Sequence, residues 1–125
     1  MRTIFFAAVF AAIGSLDARP ARAQVVKETL PGVTNYARVE STVACAGAIT
    51  PEAVPELKRL GYKSIINLRQ ASEPGANVEA EAAAVKGAGI TYAHLPFNAA
   101  APDPAVVDAF LKAITSPGME PAFIH

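Results

Sequence analysis

The chain predicts an α/β fold of three layers, a largely parallel sheet with helices on both faces. Two observations carry this. From about Thr42 onward, short apolar runs alternate with helix-like segments, the pattern that threads parallel strands through helical crossovers. The apolar runs lack strict in/out alternation, as strands covered on both faces do.

Gln24 to Arg38 carries little signal beyond the Pro31-Gly32 turn. Thr42 to Ala46 is rich in small and β-branched residues and predicts a strand. Thr50 then offers an N-cap and Pro51 fits the first helical position, where its missing N–H costs nothing. Val54, Leu57 and Leu60 line that helix, and Gly61 supplies the positive φ that ends it. Lys63 to Leu68 predicts a second strand, and Arg69 to Asn77 a loop in which Glu73 and Asn77 are plain loop residues. Val78 to Lys86 is Ala- and Glu-rich and predicts a helix stopped by Gly87 and Gly89, with Glu79 and Glu81 on its solvated face. Ile90 to Leu95 is the third strand, with His94 a packed, hydrogen-bonded histidine rather than a metal ligand. Asp103-Pro104 repeats the cap-then-proline start, and Val107, Phe110, Leu111 and Ile114 have helical spacing. Ala122 to Ile124 is the last strand.

The 125 residues bound one domain, and an apolar share of 52% suffices for a core. A formal net charge of zero gives no electrostatic case for nucleic acid or anionic lipid. Residues 1–23 have the layout of a secretory signal peptide: Arg2, an apolar run Ile4–Ile13, then Ala21-Arg22-Ala23 as the cleavage motif. The run is too short for a membrane span of roughly 20 residues. Cleavage after Ala23 leaves eight basic and ten acidic residues, hence a net charge of −2, in a periplasmic or secreted protein. Cys45 is the single cysteine, so no internal disulfide forms; it is expected to be a small buried strand residue.

Four segments occur in a telling order: Gly47-Ala48-Ile49-Thr50-Pro51-Glu52; Leu60 to Arg69, containing Ile65-Ile66-Asn67-Leu68-Arg69; Gly89 to Pro96, containing Tyr92 and Leu95-Pro96; and Pro121-Ala122-Phe123-Ile124-His125. Together they resemble the dual-specificity and tyrosine phosphatase superfamily, and most closely its bacterial branch of beta-lactamase hydrolase-like phosphatases. The likeness runs from about Asn35 to His125. It implies a cysteine-phosphatase-like fold, incomplete at the C-terminus, with residues 24–125 as the N-terminal part of the domain.

The signature of that superfamily is H-C-x-x-x-x-x-R, a loop between a strand and a helix. Loop N–H groups and the helix N-terminus cradle a phosphate, and the same field favours the thiolate that attacks phosphorus. The arginine clamps two phosphate oxygens, and an aspartate protonates the leaving group. The resemblance makes His125 the loop histidine, places the cysteine and arginine beyond it, and leaves the chain as given inactive. Cys45 does not substitute, because Ala44 precedes it and Pro51 stands where the arginine is required. Asp103 is the one carboxylate in the loop that carries the general acid, and equally a helix N-cap. Arg69 ends a strand at the active-site rim as a substrate-binding candidate, or as a strand-end arginine in solvent.

The implied activity is hydrolysis of phosphoric monoesters on a phosphoprotein or small phosphorylated molecule, without metal or other cofactor. Two rivals stand beside it: a non-catalytic binding module using the rim around Arg69 and Asp103, and a rhodanese-like sulfur transferase.

Overall fold

The computed structural model describes residues 24–125; the expected signal peptide lies outside the described residues. The elements in chain order are β1 (Val25–Lys27), β2 (Ala37–Val39), β3 (Val43–Cys45), a 3₁₀ turn (Pro51–Ala53) running into α1 (Val54–Arg59), β4 (Ser64–Asn67), α2 (Val78–Ala88), β5 (Thr91–His94), α3 (Pro104–Ile114) and β6 (Ala122–Ile124). All six strands form one sheet in the order β1-β2-β3-β6-β4-β5.

The β3–β6, β6–β4 and β4–β5 pairings are parallel, as the alternating pattern requires. The β1–β2 and β2–β3 pairings are antiparallel, and neither β1 nor β2 was legible in the sequence. Both are three residues long, β1 is exposed throughout, and β2 has no fully buried residue. Strands that bury so little leave no hydrophobic period to read.

Strand order and handedness place the helices. The connections β3-α1-β4 and β4-α2-β5 run in one direction across the sheet, and β5-α3-β6 runs back. Right-handed crossovers then put α1 and α2 on one face and α3 on the other. The packing agrees. Ala44, Phe123 and Ile65 are register neighbours whose side chains share one face. They are fully buried in one cluster with Val54 and Leu57 of α1 and Val85 of α2. The alternate residues Ser64, Ile66 and Ala122 face the opposite way and are also fully buried. On that side the Ser64 hydroxyl donates to the Met119 carbonyl at 2.6 Å, tying the segment after α3 to the sheet.

The helix ends follow the sequence. Asp103 Oδ1 accepts the Ala105 N–H at 2.9 Å, and Asn77, expected only as a loop residue, caps α2 through the Ala80 N–H. Thr50 stands at the predicted start, but its hydroxyl makes no capping bond. Gly89 closes α2 at φ 68°, in the left-handed region that glycine enters without a Cβ penalty.

Cys45 requires a correction. It lies on β3 as expected, but it is exposed rather than buried. It alternates with Ala44 and so points away from the α1/α2 core. The α3 crossover returns from β5 to β6 and stops short of β3, so that end of the sheet has no cover among the described residues.

Candidate functional site

The three parallel strands β6, β4 and β5 end together, which gathers their last residues on one edge. In α/β sheets this carboxyl edge is where ligands meet the fold. His125 follows β6 between β3 and β4. Its N–H donates to the Ile66 carbonyl at 3.1 Å, and its own carbonyl accepts the Leu68 N–H at 2.6 Å. The backbone of His125 is therefore stitched into the centre of the sheet.

The His125 ring is buried, 7% exposed as a residue. Its Nε2 lies 2.8 Å from Glu81 Oε1. Glu81 is 3% exposed, which overturns its expected place on a solvated helix face. The reason is helical spacing: Glu81 falls on the same stripe as Val78, Val85 and Ala88, the stripe that α2 turns to the sheet. Its neighbour Glu79 is exposed, as expected.

Asn67, the last residue of β4, completes the cluster. Its Nδ2 donates to Glu81 Oε2 at 3.2 Å and Oε1 at 3.3 Å, and to the Tyr92 hydroxyl at 3.1 Å. Its Oδ1 accepts the Arg69 N–H at 2.8 Å. Burial pushes the Tyr92 phenol up to about 12, opposed by the hydrogen bond from Asn67 and helped by the nearby Glu81 carboxylate. Tyr92 therefore stays a neutral hydroxyl across the physiological range. The one buried polar side-chain atom without a partner among the described residues is His125 Nδ1.

Arg69 stands next to this cluster. Its guanidinium donates to Glu73 Oε2 at 3.1 Å and to the Pro74 carbonyl at 2.9 Å. Glu73 also accepts the Gln70 N–H at 2.7 Å. That backbone bond and then Arg69 hold its carboxyl below the usual range, so Glu73 braces the loop rather than merely occupying it. The Arg69 carbonyl is bound by His94 Nε2 at 2.9 Å, the hydrogen-bonded role expected for His94, although its ring is only half-buried. Asp103 is exposed at the start of α3, where it caps the helix. The structure thus joins His125 to the Arg69 backbone through Glu81 and Asn67 and leaves Asp103 outside that network.

Beside the same edge, Leu68, Phe97, Val106, Val107 and Phe110 line an apolar cavity of about 150 Å³. The Cys45 thiol is pushed up by partial burial, away from the thiolate a nucleophile needs. Among the described residues no group of three or more His, Cys, Asp and Glu side chains is placed to hold a metal ion, and no helix is long and apolar enough to cross a membrane.

The sequence profile of the family described as beta-lactamase hydrolase-like protein, phosphatase-like domain, matches residues 35–123. The chain belongs to this family. Solved structures share the fold. A candidate phosphatase from Shewanella putrefaciens superposes with a TM-score of 0.68 at 23% identity, covering 75% of this chain and 59% of that one. A second candidate phosphatase, from Neisseria meningitidis, gives a TM-score of 0.56 at 22% identity, covering 68% and 61%. The core catalytic domain of a PP-IP phosphatase from S. cerevisiae, in complex with citrate, gives 0.58 at 19% identity, covering 78% and 58%. The chain therefore spans about three fifths of the length of these relatives. A comparison with curated proteins finds no match. The family and the fold are those the ordered segments led one to expect. The beta-lactamase hydrolase-like phosphatase domain places Asn67, Tyr92 and Phe123 inside its matched span and His125 two residues beyond it.

Proposed function

We propose that this chain is the greater part of an exported, cysteine-dependent phosphatase domain that, in its complete form, hydrolyses phosphoric monoesters on a phosphoprotein or a small phosphorylated molecule. The observation that carries the reading is the buried His125, held by Glu81 at the carboxyl end of an interior parallel strand. A strand that ends in a fixed histidine is the entry to the loop that would present thiolate and arginine to a phosphate. Family membership supports phosphatase-type chemistry.

In this reading His125 steadies the anion loop, Asp103 is the proton donor to the leaving oxygen, and Arg69 is a rim cation that meets the substrate. Arg69 now commits its guanidinium to Glu73 and Pro74, so contact with substrate requires it to exchange those partners. The nucleophile is not Cys45, whose sequence context and raised thiol pKa both oppose the role. Residues 1–23 direct export, and the mature protein begins at Gln24 and works in the periplasm or outside the cell.

Turnover of p-nitrophenyl phosphate tests this. The 125-residue chain is expected to show none. The same chain extended by its natural downstream codons is expected to be active if these encode Cys, five residues and Arg, and to lose activity when that cysteine becomes Ser. Turnover by the 125 residues that disappears with Cys45→Ser would overturn the assignment. Mass spectrometry of the exported protein checks the Gln24 N-terminus.

A further inference from the structure

The hydrogen bonds around Glu81 have a definite polarity that can be followed from the backbone outward. The Arg69 N–H can only donate, so Asn67 Oδ1 is the atom that receives it. That fixes the amide orientation and turns Nδ2, a donor, towards both carboxylate oxygens of Glu81. Glu81 Oε1 is therefore an acceptor, and His125 Nε2 at 2.8 Å supplies the proton. In the neutral ring the remaining nitrogen, Nδ1, then carries a lone pair. It is buried, and it is without a partner among the described residues.

We propose that Glu81 is a positioning residue: its buried carboxylate, oriented by Asn67, locks the His125 ring with the proton on Nε2 and reserves Nδ1 as the polar atom that the anion loop must meet. The relay runs across three elements, from the end of β4 to the middle of α2 to the end of β6. Its value to catalysis rests on the phosphatase reading. A histidine in the other tautomer would carry its proton on Nδ1, and Nε2 would lose its donated bond to Glu81. The second member of the relay, Asn67, falls within the Ile65-Ile66-Asn67-Leu68-Arg69 segment. Its Oδ1 bond to the backbone selects which end of the amide faces the carboxylate.

The experiment is the ring-nitrogen NMR spectrum of His125, recorded without substrate in a pH range where the ring is neutral. In the unsubstituted chain Nε2 is expected in the protonated range and Nδ1 in the lone-pair range; the reverse pattern overturns the proposal with no variant needed. In Glu81→Gln one oxygen is replaced by NH2: with the amide oxygen towards His125 the new NH2 meets the Asn67 Nδ2 donor at the Oε2 position, and with the amide turned over the NH2 faces His125 Nε2 instead. The two ring nitrogens are expected to exchange ranges or average. In the double variant E81Q/N67D the introduced carboxylate on β4 accepts both the Arg69 N–H and the introduced amide on α2. The amide oxygen is then free for the ring, so the original pattern is expected to return. A space-filling role for Glu81 predicts an unchanged ring in E81Q, and that result would overturn the proposal; so would a folded double variant that fails to restore the pattern. Because the readout is a proton position, it stands or falls separately from turnover of p-nitrophenyl phosphate.

Discussion

The two halves of the sheet are built on different terms. The parallel half, β3-β6-β4-β5, carries the helices, and its central strands β6 and β4 are buried on both faces, while β3 is covered only on the α1 side. The antiparallel half, β1-β2, is an exposed ribbon that adds hydrogen bonds to the edge of β3 and little core. Its side-chain contribution is local: Arg38 on β2 donates to Glu28, and both are solvent-exposed. The Tyr36 hydroxyl reaches inward and bonds the Tyr62 hydroxyl at 2.7 Å. The lesson is that stability and the candidate site share one half, and the other half serves as a hem.

The largest effects should therefore come from the buried half. Phe123 packs against Tyr36 with ring centroids 6.1 Å apart and edge-on to Tyr62 at 5.5 Å. Phe123→Ala is expected to cost about 3–5 kcal/mol in urea unfolding. Val26→Ala on the exposed β1 should change stability by less than about 0.5 kcal/mol. Comparable losses at the two positions would erase the contrast.

Glu81→Ala probes the polar part of the same half. It strips two buried donors, Asn67 Nδ2 and His125 Nε2, of their acceptor, and each buried donor left unsatisfied costs about 1–3 kcal/mol. Glu28→Ala, at the exposed Arg38 pair, should leave the unfolding midpoint unchanged within error. If the two substitutions behaved alike, the Glu81 cluster would be a surface feature in energetic terms.

Legibility followed the same division. β4 and β6 were legible nearly to the residue because burial on both faces writes an unbroken apolar run, and α3 because of its Asp103-Pro104 start and apolar helical spacing, although none of its residues is fully buried. The ribbon was missed because exposure imposes no such pattern. The polar cluster was missed for another reason: in an Ala- and Glu-rich helix every glutamate looks solvated. The signal was present in the register, since Glu81 is three residues after Val78 and four before Val85, on the apolar stripe. Asn67 lies in the Ile65-Ile66-Asn67-Leu68-Arg69 segment, but nothing in a single sequence shows that its amide turns towards α2. His125 and Asp103 stood out as site candidates through the resemblance to the phosphatase family; the pattern by itself shows only an apolar strand ending in His125 and a helix cap at Asp103.

Alkaline pH carries the contrast further. Burial first, and then the hydrogen bond with Tyr36, raises the Tyr62 phenol; Tyr92 is pushed up to about 12. Unfolded tyrosines ionise near pH 10. Between those values the folded chain keeps protons that the unfolded chain has lost. Stability from these two groups is thus complete below about pH 10 and falls as pH rises through their folded pKa values. Ultraviolet titration should show two late-ionising tyrosines, and urea midpoints should decline above about pH 10. Tyr62→Phe removes one of them and leaves the Tyr36 hydroxyl without its buried partner, at about 1–2 kcal/mol.

Asp103 gives a smaller stability effect than the buried positions and the cleanest separation of roles. As the N-cap of α3 it is worth about 1 kcal/mol, so Asp103→Ala should lower stability by that amount. Asparagine caps as well as aspartate, so Asp103→Asn should leave the unfolding midpoint nearly unchanged. An amide cannot protonate a leaving oxygen. In the complete domain, Asp103→Asn should therefore keep the fold while lowering kcat about 10²-fold or more, the scale of a lost general acid. Full activity in Asp103→Asn alongside a destabilised Asp103→Ala would make Asp103 a cap alone and send the search for the proton donor elsewhere on the carboxyl edge.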